Sequence, residues 1–177
     1  MRTELFHPIV IHFPLALLLL GSALRLSHYF LRKSSFEKLS LSIAWSFLIL
    51  GVCFSWLAVI TGEIAADVVG NALCNENILD YHSGFAYSTA SLFSAALVLD
   101  FTKWWIQKSF KNLRILTTLI ALFYTSASVF LVIVGFLGGN LVYEQGAAVK
   151  KTCLPNGHRS QTGVGSQKEV LFEAFLF

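Results

Sequence analysis

Three histidines placed in otherwise apolar surroundings are the residues best able to do chemistry in this chain. His7 and His12 stand in "HPIVIHFP" and His82 in "DYHSG". Two carboxylates, Glu63 and Asp67, stand in "TGEIAAD", four apart and so on one face of a helix. Imidazole is the commonest metal ligand. Together these groups can hold a single metal ion or the iron of a haem. They can equally be interhelical hydrogen-bond partners with no cofactor at all. No Cys-x-x-Cys-His is present, which excludes covalently attached c-type haem. No nucleophile–base pair or phosphate loop is visible, so an enzyme acting alone is the least supported class.

Within "HPIVIHFP", Pro8 suits the first helical position and His7 the cap before it. Pro14 lacks a backbone donor and frees the carbonyl of Val10, which predicts a kink. His7 and His12 are five residues apart, about 140° around an ideal helix, so spacing alone does not give them one shared site. His12 lies roughly 7 Å deeper than His7, by the helical rise. An ionisable group at such depth in a membrane faces the bundle interior and has a partner.

The elements that position these residues follow from composition. Of 177 residues, 55% are hydrophobic and 13% charged, with a mean hydropathy of +0.67. A soluble domain carries about a quarter charged residues. The net charge of +3 is small and scattered, which argues against nucleic acid as a partner. Four runs lack charge over roughly the 20 residues that span a bilayer. They predict an all-α, four-transmembrane-helix bundle, with helices over about 8–30, 39–62, 82–104 and 113–144 in a domain spanning 1–150. An extramembrane tail, 151–177, follows. The first run has an h-region look, but its positive residues follow it, the order of an anchored helix rather than a cleaved signal.

Charge sets the expected topology. The connection after the first run carries Arg32, Lys33 and Lys38, and that after the third carries Lys103, Lys108, Lys111 and Arg114. The connection between the second and third has Glu63, Asp67, Glu76 and Asp80 and no Lys or Arg. Positive loops stay in the cytoplasm, so both termini are expected outside. That gathers His7, His12, Glu63, His82 and the "GFLGGNLVYEQG" ending at one outer layer. There, His12 and His82 are the expected axial pair of a haem b, with His7 and Glu63 as supporting groups and Gly138 and Gly139 as a flat surface for the porphyrin. The alternatives are a single Zn, Cu or Fe ion on His12 and His82 with His7 and Glu63, or a cofactor-free structural subunit of a larger membrane complex. Cys74 and Cys153 are both expected outside, where a disulfide between them can form. Asp100 is expected to make a surface pair with Lys103, of little energetic weight.

The stretches "HPIVIHFPLALLLL", "AVITGEIAADVV" and "GFLGGNLVYEQGAAV", with a histidine opening the third helix, resemble the bacterial DUF2231 family of predicted membrane proteins over about residues 5–150. His7, Pro8, Phe13, Pro14, Gly62, Glu63, His82, Gly138, Gly139, Tyr143 and Gly146 match its motif positions. One departure is Ser83, where relatives with the helix-three histidine often have Glu. The tail after Lys151 is outside the motif. The resemblance implies a four-helix module in the bacterial inner membrane. Relatives joined to Rieske or cytochrome c domains imply a link to electron transfer. The partners expected on this basis are lipid and other membrane or redox subunits.

Overall fold

The computed structural model describes residues 6–30, 37–69, 76–109 and 113–144. They form four helices in sequence: α1 Phe6–Phe30, α2 Glu37–Val69, α3 Glu76–Ile106 and α4 Arg114–Tyr143. Each is long and apolar enough to cross a membrane. The outward faces are as apolar as the inside: Ile115 is 80% exposed, Phe136 73% and Ile9 64%. In water such a surface would drive aggregation; in a bilayer it is the lipid contact. The chain is therefore an all-α, multi-pass membrane bundle.

The helices pair as two hairpins. α1 packs along α2 and α3 along α4, while the α2–α3 and α1–α4 seams are lighter. Glycines explain how closely α1 and α2 approach. A Cβ on Gly51 would sit 2.7 Å from Leu18 Cδ2, and one on Gly21 would sit 3.0 Å from Leu48 Cγ. Small residues at a crossing let membrane helices gain dispersion contacts that no hydrophobic effect supplies in lipid. Leu18, Leu48, Phe93, Ile120 and Tyr124 fill the centre with no exposed surface.

Two helix ends extend beyond the charge-free runs. α2 continues to Val69, and α3 begins at Glu76. "TGEIAADVV" carries two charges, but its Glu and two Ala are strong helix formers. Charge marks where the membrane stops, not where the helix does. α1 is unbroken through Pro14, which is buried.

Arg25 and Asp100 differ more sharply from expectation. Asp100 is 1% exposed and does not sit in a surface pair; Arg25 Nε and Nη2 reach its two oxygens at 2.6 and 2.5 Å. A fork-to-fork guanidinium–carboxylate pair satisfies both groups where water is absent. It ties α1 to α3, one helix from each hairpin. Ser22 and Ser128 add a lesser link, Oγ to Oγ at 3.1 Å, between α1 and α4.

The expected Cys74–Cys153 disulfide has to be corrected. Among the described residues there is no pair of cysteines at bonding distance, and Cys53 is a free thiol on an exposed face of α2. A disulfide needs Cα atoms within about 7 Å; Cys74 and Cys153 lie outside the described residues, as does the tail 151–177.

Arg25→Ala should destabilise the bundle by about 3–5 kcal/mol, because it leaves Asp100 buried without its cation. Arg25→Met with Asp100→Leu should recover most of that loss. Unfolding in detergent–denaturant titrations measures both, and equal stability of Arg25→Ala and the parent would contradict the pairing. Gly51→Ala should cost roughly 1–3 kcal/mol by overpacking against Leu18, read in the same titration.

Candidate functional site

The first turn of α1, the last turns of α2, the first turns of α3 and the end of α4 meet at one end of the bundle. His7 and His82 face each other there. Their ring centres are 6.3 Å apart and the planes are nearly perpendicular, at 87°. This is a contact between the two hairpins, made on the diagonal of the bundle.

Each ring rests on a glycine of the partner helix within its own hairpin. A Cβ on Gly62 would come within 3.1 Å of His7 Cε1, and one on Gly138 within 3.2 Å of His82 Cε1. His7 Nδ1 lies 3.0 Å from the Ala58 carbonyl, with Thr61 Oγ1 at 3.4 Å. A carbonyl only accepts, so Nδ1 carries the proton. In the neutral ring this leaves Nε2 with a free lone pair. Holding one imidazole nitrogen on a backbone acceptor is how proteins orient a ligating histidine. His82 is similarly placed. Its Nδ1 is sealed from solvent without a well-formed hydrogen bond, and the Val134 carbonyl is the backbone acceptor that bears on the ring.

The other expected site residues fall elsewhere. His12 is exposed on the outer face of α1, and its Nδ1 donates to the Pro8 carbonyl of its own helix at 2.6 Å. The His12–His82 pair is therefore not brought together; His7 occupies the position opposite His82. The reason is angular. α1 keeps its register through Pro14, so the separation of about 140° between His7 and His12 survives, and only one of them faces inward. Burial of His12 was expected from depth alone, yet its N–H is satisfied locally by a carbonyl one turn back.

Glu63 follows Gly62 but has no hydrogen bond or ion pair to either histidine among the described residues. It is exposed and stands beside the Tyr87 hydroxyl of α3. Asp67 is exposed as well. Gly138 supports the ring of His82 rather than offering a free flat surface, and a Cβ on Gly139 would meet nothing within 4 Å. Thr61 is the polar neighbour the sequence offers at this depth, though it lies beside His7 rather than His12; the supporting groups that sequence reading missed are the backbone carbonyls, that of Ala58 above all. Backbone acceptors carry no residue-type signal. Gly62 is marked in the sequence only as a family-motif position; its place under the His7 ring carries no further signal.

The arrangement has a defined chemical capacity. Two imidazoles bound on opposite sides of one metal, at about 2.0–2.1 Å per Fe–N or Zn–N bond, place their ring centres about 6 Å apart. The 6.3 Å, near-perpendicular spacing of His7 and His82 is within the range for such a centre and equally within that of an ordinary edge-to-face ring contact. Among the described residues no group of three or more His, Cys, Asp or Glu side chains converges. A closed tetrahedral site of four protein donors is thus not formed by the described residues. Two imidazoles across a light seam between hairpins suit a centre whose other ligands belong to a cofactor or to small molecules.

No curated protein and no solved structure matches the chain. Residues 4–151 match the family described as "Predicted membrane protein (DUF2231)", the range that contains all four helices and both histidines of the pair. The chain belongs to the DUF2231 family of predicted membrane proteins.

Proposed function

We propose that this protein is an electron-transfer module of the bacterial inner membrane that holds a redox metal centre between His7 and His82. Haem b is the first candidate. A single Fe, Cu or Zn ion is the alternative, and zinc would make the site structural. The observation that carries the reading is the facing of the two imidazoles at 6.3 Å, with Nδ1 of His7 held by the Ala58 carbonyl.

The residues fit the group in three respects. His7 offers Nε2 as a lone-pair donor because its proton is engaged at Nδ1. The two rings come from different hairpins, across the less tightly packed seam. The surrounding helices are apolar, which favours a centre with no net exposure to water. A haem there would supply one-electron transfer. His7 and His82 would hold it, and Gly62 and Gly138 would keep their rings in place. Glu63, beside Tyr87, stands at the α2–α3 seam and would face an approaching partner rather than the metal.

The histidine end faces the periplasm in this reading. The support is the positive-inside pattern, with Lys38 at the start of α2 and Lys103 and Lys108 at the end of α3, all at the opposite end. A reporter fused after Lys151 should be active only outside the cytoplasm. Activity only inside would reverse the orientation.

Purified from cells supplied with haem, the protein should show an absorption band that shifts on reduction, or metal at one equivalent. His7→Ala and His82→Ala should each abolish it while the bundle stays folded. His12→Ala should leave binding within about twofold of the parent, since His12 faces outward. A colourless, metal-free parent protein would defeat the cofactor reading and favour a structural subunit. Loss of the centre in His12→Ala alone would defeat the assignment of the pair.

A further inference from the structure

The two hairpins repeat one another position by position. Arg25 follows His7 by 18 residues, and Asp100 follows His82 by 18. With that register, buried Pro14, Leu18 and Gly21 of α1 fall on buried Thr89, Phe93 and Ala96 of α3. The second helices repeat at a spacing of 76 residues: Ala44, Leu48, Ser55 and Ala65 of α2 fall on Ile120, Tyr124, Leu131 and Leu141 of α4, all buried. The same spacing carries Gly62 to Gly138 and Ala58 to Val134. Residue types have diverged, but most inward-facing positions correspond; Leu15 against Ala90 and Ser22 against Leu97 are exceptions.

Geometry agrees with register. α1 and α3 run the same way, because their first turns meet at the histidines and their later turns meet at Arg25 and Asp100. Each packs mainly on its own antiparallel successor. Both inter-hairpin contacts join equivalent positions, His7 to His82 and Arg25 to Asp100. In a twofold arrangement, equivalent residues meet each other only on the axis.

We infer that the bundle is two equivalent helical hairpins related by a pseudo-twofold axis along its length, and that Gly62, with the Ala58 carbonyl beside it, and Gly138 are matching seats that turn the rings of His7 and His82 toward one ligand position on that axis. The ligand class is a single transition-metal centre taken by two imidazoles. This deepens the function proposed above and rests on it only for the ligand; the seats themselves are properties of the chain alone. Gly62 and Gly138 are positioning residues. Each leaves space for an imidazole edge against helix backbone, and the Ala58 carbonyl that holds His7 lies one turn before Gly62. At the other end of the axis the equivalence has been broken: one hairpin supplies the cation and the other the anion. Two arginines or two aspartates there would repel, so the fused chain can place on its axis a charge pair that two identical hairpins could not.

The test is nitrogen-15 NMR of the histidine side chains in the full chain, metal-free and in detergent, with signals assigned through His7→Gln and His82→Gln. Both rings should carry the proton on Nδ1 and a free lone pair on Nε2. Gly62→Ala should displace the His7 signals and spare those of His82, and Gly138→Ala should do the converse. One equivalent of zinc should then shift both Nε2 signals together. A proton on Nε2 of either ring in the parent protein would overturn the inference, whatever the glycine variants do. So would a zinc shift confined to one ring. Should the tautomers and glycine effects hold while zinc shifts neither ring, the seats stand and the metal-centre reading falls.

Discussion

The constraint on which the structure depends is the Arg25–Asp100 pair. Two full charges buried among apolar helices have no water to fall back on, and breaking either one leaves the other costing several kcal/mol. The pair sits diagonally across the bundle, between helices that otherwise share little backbone contact. Within each hairpin, association comes from close packing at small residues such as Gly21 and Gly51. Between hairpins the seams are lighter, and lipid is as good a neighbour for Leu as another helix is. A bidentate ion pair is directional as well as strong. It fixes the depth and rotation of α1 against α3, and the histidine end inherits that registration.

From Arg25 to His7 is five turns of one helix, and from Asp100 to His82 is five turns of another. With the far ends locked, the near ends have little freedom to slide. The two imidazoles therefore meet at a set distance, without a direct bond between them. Each is held by its own hairpin: His7 by Gly62 and the Ala58 carbonyl, His82 by Gly138 in reach of the Val134 carbonyl. This separates the task of orienting the rings, done within hairpins, from the task of spacing them, done between hairpins.

Much of the fold was legible in the sequence because lipid imposes a simple rule. A spanning segment must be long, apolar and helical, and runs free of charge over that length can be counted by eye. Helix ends were less legible, since Ala and Glu in "TGEIAADVV" continue a helix that hydropathy has already ended. The site was legible in part. Histidines in an apolar layer are conspicuous, and His7, His82 and Gly138 all stood out by type, while Gly62 was marked only by its match to the family motif. Which histidine faces inward was not legible, because that depends on the rotation of α1, and rotation is set by Arg25 and the glycine crossing. Asp100 was misread for a related reason. Its sequence neighbour Lys103 suggested a local surface pair, whereas its partner is 75 residues away on α1. Local charge patterns find pairs along a helix; they are blind to pairs across one.

The 75-residue relation between α1 and α3 was present in the sequence throughout, but almost no identity marks it. What persists is a list of positions that must be small, apolar or otherwise suited to the axis. Such a pattern is what packing alone would preserve, since a core tolerates exchange of Leu for Phe or Leu for Tyr when its partners adjust. Three positions have kept a more particular chemistry: the histidine, the glycine beneath it, and the ionisable residue 18 further on. Packing does not require a histidine facing a histidine. Placing two imidazoles opposite each other in an apolar layer adds polar groups that must be satisfied, at a cost of roughly 1–3 kcal/mol for each one left unpaired. A hairpin repeat that needed only to fold could have met itself there with leucine, so the paired histidines are the part of the bundle that packing alone leaves unexplained.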